Sequence, residues 1–293
     1  MGEAIFLGLN ALGDTLCATP ALHAFRRQHP GDTMVCVVQS APFCHVLDDN
    51  PDIDVLIYSE QLYFKGIPEE TADWIRSLPI DLAGGATLYR LDMRFACSTI
   101  DAFHRHISYR FAELVGVEIE SPRPFVYLDA LHRRAASTLV SRPFIVFSTN
   151  SVSNPEREDK RGRKKDWPLD RWAELANRIL AEGEFDIAVI GAERDPRLPI
   201  SGVRMLYGLP IRVVAALLER AACVVTLESG IGHLAYAVDA RTVVIYSNMM
   251  PPEWARPAEL SRFRILYGDP YETSVDDVFE AVQTLTATCA VTR

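Results

Sequence analysis

The feature that most constrains the fold of this chain is the alternation of short, continuous apolar runs with longer amphipathic stretches. Residues 34–38, 144–147, 223–227 and 242–246 form such runs. They lack the strict apolar–polar alternation of a half-exposed strand, so each run indicates a strand that is buried on both faces. Strands of this kind, separated by helical stretches, predict α/β architecture with parallel sheets.

The alternation occurs in two series, separated by a weakly patterned stretch at residues 60–125. We predict two Rossmann-like domains, at residues 1–140 and 141–293, with ligands at the carboxyl ends of the strands. In the first domain, Thr19 and Pro20 have the pattern of a helix start. The predicted strands are 4–9, 34–38, 54–58, 80–83, 144–147, 185–190, 223–227 and 242–246. The predicted helices are a stretch that follows the loop 10–14 and ends near Pro30, then 41–48, 69–78, 99–115, 131–140, 169–181, 211–221, a short one from Gly230, and 274–286.

Composition excludes several classes of protein. A net charge of -9 gives no general attraction to nucleic acid, and 48% hydrophobic residues exclude a disordered chain. The six cysteines have no C-x-x-C or zinc-finger spacing and are typical of reduced cytoplasmic thiols. No secretory signal pattern is visible, and no apolar run reaches the roughly 18 residues of a membrane span. We expect a cytoplasmic protein without a nucleic-acid partner, whose contact with a membrane would be peripheral.

Asp14 follows the first predicted strand and precedes a helix. A carboxylate in this position can accept a proton from a substrate hydroxyl, and it can equally serve as a helix N-cap. Because the same loop lacks a G-x-G-x-x-G pattern, a dinucleotide-dependent dehydrogenase is a distant alternative.

The segment from Glu228 to His233 follows a buried strand and opens a helix. The first N–H groups of that helix, with small Ser229 and Gly230 beside them, suit a diphosphate. The alternative is a tight turn with His233 packed in the core. A basic loop ending at Lys165 could supply a cation to the same edge, or it could be a solvated surface. Glu193 follows another strand and could bind sugar or ribose hydroxyls, or lie in an ordinary loop.

Several short motifs occur in a fixed order in both halves. In the first half they are Leu12, Gly13, Asp14, Thr19, Pro20, Ala21, Leu22, Phe25, Arg26 and Arg27. In the second half they are Lys165, Asp166, Trp167, Pro168, Arg171, Trp172, Gly191, Ala192, Glu193, Glu228, Ser229, Gly230, His233, Leu234 and Ala235. This ordered set resembles glycosyltransferase family 9, the group that includes the lipopolysaccharide heptosyltransferases.

The resemblance implies a GT-B fold, in which two Rossmann-like domains face a cleft. It implies that the first domain binds a glycan or glycolipid acceptor and that the second binds a nucleotide-sugar donor, with an ADP-linked sugar as the expected donor. Asp14 would be the catalytic base of an inverting transfer, and Lys165 would neutralise the diphosphate leaving group. The other donor-binding residues implied are Thr149, Glu193, Glu228, Ser229, Gly230 and His233. The scheme uses no metal and no cofactor, because the nucleotide sugar is a substrate.

One position departs from the family pattern, which usually has Asp where this chain has Glu228. We expect the Glu228 carboxylate to turn away from the diphosphate and accept hydrogen bonds from the donor's sugar. Two alternatives to an enzyme of surface-glycan synthesis stay open, and the departure at Glu228 favours the second of them. One is a relative that acts on a small molecule or a protein, and the other is a catalytically silent module that binds nucleotide sugars.

Overall fold

The computed structural model describes residues 2–9, 11–60, 86–92, 96, 104–151, 165–248 and 251–287. The chain forms two compact units. The first comprises Met1–Tyr127 with Glu253–Arg256, and the second comprises Leu128–Pro252 with Pro257–Arg293. The predicted helix 69–78 and strand 80–83 lie outside the described residues. Among the described helices, none combines the length and apolar character needed to cross a membrane.

Within its described residues, the first unit is built on a four-stranded parallel sheet with the strand order β3-β2-β1-β4. Its strands are β1 (Glu3–Leu9), β2 (Thr33–Gln39), β3 (Val55–Ser59) and β4 (Thr87–Arg90). Its helices are α1 (Leu12–Gln28), α2 (Ile107–Val115) and a 3₁₀ turn, Pro42–Leu47. The central strand β1 is buried from Ala4 to Leu9, as its continuous apolar run predicts.

In the part of the second unit that the structure describes, the strands form a six-stranded parallel sheet with the order β10-β9-β8-β5-β6-β7. Its strands are β5 (Phe144–Ser148), β6 (Asp186–Gly191), β7 (Arg204–Tyr207), β8 (Cys223–Leu227), β9 (Thr242–Ser247) and β10 (Phe263–Gly268). Its helices are α3 (Ala130–Leu139), α4 (Leu169–Glu182), α5 (Ile211–Arg220), α6 (Gly230–Ala237) and α7 (Val275–Ala287). A further 3₁₀ turn, Pro252–Trp254, begins at the last residue of the segment Leu128–Pro252 and continues into Glu253–Arg256, which belongs to the first unit. This order is that of a Rossmann fold, and it reverses direction between β5 and β8.

The core of the second unit joins the sheet to the helices that cover it. Ile145 and Phe147 of β5 pack with Trp172, Leu175 and Ile179 of α4 in one buried cluster. The spacing of the three α4 residues places them on one face of the helix. Pro168 is the residue just before α4, and Gly183 ends the helix in a left-handed conformation. These local signals account for the agreement between the predicted helix 169–181 and the observed one.

Three strands escaped prediction because they are short or partly exposed. β4, β7 and β10 all lie at sheet edges and have mixed burial along their length. An edge strand has fewer neighbours, so its sequence lacks the continuous apolar run of a central strand. The predicted helix 99–115 begins, within the described residues, only at Ile107, because the His106 side chain caps it by accepting from the Ser108 N–H.

Two further expectations need correction. The predicted domain boundary at 140/141 is misplaced, because α3 belongs to the second unit, where it packs on α5 and Arg133 bonds to Glu219 with an Nε–Oε2 distance of 2.8 Å. Thr19 and Pro20 do not start a helix. They lie inside α1, which begins at Leu12.

Candidate active site

The reversal of strand order in the second unit brings the ends of β5, β8 and β9 together. The segment after β5 carries Thr149, and the chain after β8 continues through Glu228 and Ser229 into α6. In an open parallel sheet, a crevice forms at the carboxyl edge where neighbouring connections run to opposite faces. Most of the predicted donor-binding residues therefore belong to one edge of one sheet.

Lys165 and Glu228 form an ion pair at this edge. The Lys165 Nζ donates to the Glu228 Oε1 over 2.6 Å, although 63 residues separate them along the chain. Both side chains are largely withdrawn from water, with exposed fractions of 25% for Lys165 and 11% for Glu228. The second Glu228 oxygen, Oε2, accepts from the Ser247 Oγ over 2.6 Å. Both carboxylate oxygens therefore already have protein partners.

Ser229 and Gly230 form the start of α6. Ser229 occupies the N-cap position with an extended backbone, but its side chain makes no capping hydrogen bond. Its Oγ lies 3.3 Å from the Thr226 Oγ1 instead. The first N–H groups of a helix have no partner within it and carry a partial positive charge, so this end of α6 suits a phosphate oxygen.

His233 lies one turn into α6, and burial together with the nearby positive charge of Lys165 lowers its pKa to about 4. The imidazole is therefore neutral at pH 7. A neutral imidazole has one N–H donor and one acceptor nitrogen, so His233 contributes hydrogen bonding to this edge but no positive charge.

The segment after β5 is anchored by local hydrogen bonds. The Thr149 side chain is almost fully buried, and its Oγ1 accepts from the Asn150 Nδ2 at 3.5 Å. The next residue, Ser151, donates through its Oγ to the Asp166 Oδ1 over 2.7 Å. Because Asp166 directly follows Lys165, this bond ties the segment after β5 to the lysine. The other basic residues of the loop, Arg157, Lys160, Arg161, Arg163 and Lys164, lie outside the described residues.

Glu193 and Asp195 follow β6 and differ sharply in environment. The Glu193 side chain is 75% exposed and pairs with Arg197 at 3.2 Å. Asp195 is buried and accepts from the Ala192 N–H at 2.8 Å, and burial raises the pKa of its carboxyl. Asp195 therefore stabilises the turn after β6, whereas Glu193 is the carboxylate with access to solvent.

In the first unit, Asp14 lies in the first turn of α1 and is partly buried. The alternative of an N-cap role is wrong, because the N-cap position is Ala11. Burial raises the pKa of the Cys17 and Cys44 thiols, and the negative charge of Asp14 raises both further. The Asp14 carboxylate therefore lies near two buried thiols at the end of α1 that follows β1.

Asp52 and Asp54 form a D-x-D sequence, and both of their carboxylates make hydrogen bonds or ion pairs within the first unit. The Asp52 Oδ2 lies 3.0 Å from the His23 Nδ1 and accepts from the Tyr127 hydroxyl at 3.2 Å. Asp54 pairs with Arg26 and accepts from the Met34 N–H at 2.8 Å. Both carboxylates therefore stabilise the packing of the first unit.

Ser247 is the functional candidate that sequence reasoning missed. It is the last residue of β9, and its hydroxyl reaches a carboxylate 19 residues earlier. A serine at the end of an apolar run carries no recognisable signal. Only the pairing of β8 with β9 brings it to Glu228.

Residues 102–274 match the model of glycosyltransferase family 9 (heptosyltransferase), which is more than half of the 293-residue chain. The chain belongs to glycosyltransferase family 9. The match includes the Lys165–Glu228 pair and the start of α6, so the described edge lies within the residues that match the family. Family membership assigns to this chain the transfer of a sugar from a nucleotide sugar. No curated protein matches this family 9 chain by sequence.

Solved structures share the fold. The E. coli ADP-heptose lipopolysaccharide heptosyltransferase II is 16% identical with a TM-score of 0.73, over 99% of this chain and 100% of that one. The glycosyltransferase family 9 protein from Veillonella parvula is 17% identical with a TM-score of 0.72, over 98% and 97%. The E. coli heptosyltransferase WaaC with ADP is 16% identical with a TM-score of 0.65, over 97% and 99%. The two α/β units of this family 9 chain therefore have the GT-B heptosyltransferase fold.

Proposed function

We propose that this protein is an inverting glycosyltransferase that moves a heptose from an ADP-linked donor to a surface-glycan or lipopolysaccharide-type acceptor. The observation that carries the proposal is the group formed by Lys165 and the start of α6 at the strand-order reversal of the second unit. The names of two structural relatives, an ADP-heptose heptosyltransferase and a heptosyltransferase with ADP, support the choice of donor.

On the donor side of the reaction, positively charged groups of the protein interact with the diphosphate. When the bond to the sugar breaks, the leaving nucleoside diphosphate gains negative charge. Lys165 and the N–H groups at Ser229 and Gly230 stabilise that charge, which is the kind of fixed electrostatic complementarity that lowers barriers most. Because these groups supply the positive charge, the proposed scheme is independent of a metal ion.

The acceptor side uses Asp14. Its carboxylate takes the proton of the acceptor hydroxyl while the hydroxyl oxygen bonds to the anomeric carbon. The bond between that carbon and the diphosphate oxygen breaks in the same step. The products are the glycosylated acceptor with inverted configuration, the nucleoside diphosphate and protonated Asp14.

Calorimetric titration with ADP-, UDP-, GDP- and dTDP-sugars tests the donor. We expect ADP-sugars to bind most tightly, and we expect Lys165→Ala to weaken both binding of the free nucleoside diphosphate and turnover. Arg157→Ala and Lys160→Ala are matched controls that should change mainly the salt dependence. Equal small effects at all three positions would contradict a diphosphate-binding role for Lys165. Absence of binding by every nucleotide sugar would contradict the proposed function.

A catalytically silent nucleotide-sugar-binding module is the second candidate. It is favoured by the Lys165–Glu228 ion pair, which neutralises the lysine that should face the diphosphate. Donor consumption in the presence of glycan, small-molecule and protein acceptors separates the two. Binding of a nucleotide sugar without Asp14-dependent consumption in any of these mixtures would favour the silent module.

A further inference from the structure

The contacts among Lys165, Glu228 and Ser247, here called the triad, suggest how the site binds and releases a nucleoside diphosphate. We propose that Glu228, held by Ser247, is the resident counter-ion of Lys165, and that a nucleoside diphosphate binds by taking the ammonium group from Glu228. When the diphosphate leaves, the ammonium returns to the carboxylate. This inference rests on the proposed function, since it requires that the edge binds a nucleoside diphosphate.

The geometry of the triad follows from three adjacent strands. β9, β8 and β5 are neighbours in the sheet, and Leu227 of β8 pairs with Ile245 of β9. The backbone N–H of Glu228 donates to the Ile245 carbonyl at 3.1 Å, which continues the pairing by one residue and fixes the backbone of Glu228. From that fixed point the side chain spans from Ser247 on one side to Lys165 on the other, at 2.6 Å each.

The length of the Glu228 side chain allows it to contact both Lys165 and Ser247. With the backbone of residue 228 fixed on β9, an aspartate carboxylate would sit one methylene closer to the backbone. It could not keep both 2.6 Å contacts without moving Lys165 or Ser247. The glutamate at position 228 therefore has the length that a carboxylate needs to bridge Lys165 and the end of β9.

Charge explains why the pair would open for a diphosphate. The lysine compensates a carboxylate that is only 11% exposed, so neither charge is left alone in a partly dehydrated site. A diphosphate carries more negative charge than one carboxylate and competes for the same ammonium. Glu228 then keeps its hydrogen bond from Ser247 but has lost its positive partner near the diphosphate, which lowers affinity for the free nucleoside diphosphate and favours release of that product after transfer.

The first test measures affinity by calorimetry for whichever of ADP, UDP, GDP and dTDP binds most tightly. Glu228→Gln keeps the shape and removes the charge, and we expect binding to tighten about 3–10-fold, the scale of a partly buried ion pair. The gain should be smaller in a Lys165→Ala background, because no ion pair remains to be opened. Equal gains in both backgrounds would mean simple repulsion by Glu228 and would overturn the exchange.

Two controls match this test. Glu219→Gln makes the same chemical change in the Glu219–Arg133 ion pair, near the end of α5 that leads to the amino end of β8, and should leave affinity unchanged. The uncharged nucleoside of the same base should bind wild type and Glu228→Gln equally. Unchanged or weaker binding of the nucleoside diphosphate by Glu228→Gln would overturn the inference.

The second test concerns Ser247 as a positioning residue. Ser247→Ala should loosen Glu228 and tighten nucleoside diphosphate binding up to about threefold, with no further change in the Glu228→Gln background. Thr242→Val removes a buried hydroxyl at the other end of β9 and should have no effect. A loss of affinity from Ser247→Ala in both backgrounds would show a purely structural role and overturn the assignment.

The outcomes distinguish this inference from the function on which it rests. If wild type binds a nucleoside diphosphate and Lys165→Ala weakens that binding, the donor site stands, and the Glu228 and Ser247 variants alone decide the exchange. If wild type binds none of the four nucleoside diphosphates, the donor site and the exchange are both wrong.

Discussion

At the scale of single residues, Asp14 combines partial burial with a position in the first turn of a helix. The partial positive charge at the start of a helix interacts favourably with a carboxylate such as that of Asp14. A carboxylate group can accept a proton from a substrate hydroxyl. The location of Asp14 just after β1 therefore suits a general base, while its effect on the Cys17 and Cys44 thiols reports its closeness to the core.

Asp14→Asn keeps the size of the side chain and removes its ability to take a proton. We expect the transfer rate to fall by about 10²–10⁴-fold, the usual cost of losing a general base. Affinity for the nucleoside diphosphate should stay nearly unchanged, because the proposed donor residues lie in the second unit. Rate measurements with donor and acceptor, combined with calorimetry, check both statements. Turnover at the wild-type rate would exclude a catalytic role.

Tyr127 predicts a pH dependence of stability in the first unit. Burial, followed by the charge and hydrogen bond of Asp52, raises the pKa of Tyr127 to about 12 from an ordinary value near 10. Between these values the folded chain keeps a proton that the unfolded chain has lost. The stabilisation is therefore complete below about pH 10 and is lost as the pH rises through about 12.

The matching variant is Tyr127→Phe. It should be less stable than wild type at pH 8, and the difference between the two should shrink as the pH rises above 10. Urea unfolding followed by circular dichroism at several pH values measures this. A constant difference across the range would show that the Tyr127 hydroxyl does not titrate as described.

At the scale of elements, α1 shows how a proline is accommodated inside a helix. Pro20 has no N–H, so the Leu16 carbonyl lacks its usual partner four residues later. The Thr19 hydroxyl donates to that carbonyl over 2.6 Å and also accepts from the Phe125 N–H at 2.8 Å. The Thr19 side chain thus replaces the missing hydrogen bond of the helix and also holds the segment at Phe125 against α1.

We predict that Thr19→Val destabilises the protein by about 1–3 kcal/mol, because it leaves two buried or partly buried backbone groups unpaired. Pro20→Ala restores an N–H for Leu16 and should recover part of that loss in the Thr19→Val background. In wild type, Pro20→Ala should help less, since the Leu16 carbonyl is already bonded. Free energies of unfolding for the four proteins form a cycle that measures this coupling. Additive effects would contradict it.

At the scale of the whole molecule, the proposed donor residues all fall in the second unit, from Thr149 to Ser247. Ligand binding stabilises the state that binds, by about 2.7 kcal/mol at a ligand concentration of 100 times Kd. Because the contacts lie at the ends of β5, β8 and β9, stabilisation by a nucleoside diphosphate should appear first in this unit.

Hydrogen exchange with mass spectrometry checks that expectation. Saturating nucleoside diphosphate should slow exchange most in α6 and in the strands β5, β8 and β9. Peptides covering β1, β2 and β3 of the first unit should change less. Lys165→Ala, measured at the same ligand concentration, is the control and should show a weaker effect. Stronger protection in the first unit would place the nucleotide there and contradict the domain assignment.

Local patterns predicted most of the scaffold. Continuous apolar runs predicted the central strands β1, β2, β5, β8 and β9, because a strand covered on both faces has apolar residues throughout. The predicted helix 169–181 matches α4, which Pro168 precedes and Gly183 ends. Edge strands such as β10 were missed, because partial exposure leaves a mixed sequence. The ordered family motifs pointed correctly to glycosyltransferase family 9.

The sequence by itself determined the parallel α/β class, the family and the residue types available for chemistry. Those properties can be read from residues that are close together along the chain, as continuous apolar runs, amphipathic stretches and short motifs. The partners of Lys165 and Glu228 were decided only by tertiary structure. Their contact spans 63 residues and that of Glu228 with Ser247 spans 19, and each depends on the strand order β9-β8-β5. Strand order leaves no local periodicity, since a buried strand has the same apolar sequence whichever strand lies beside it.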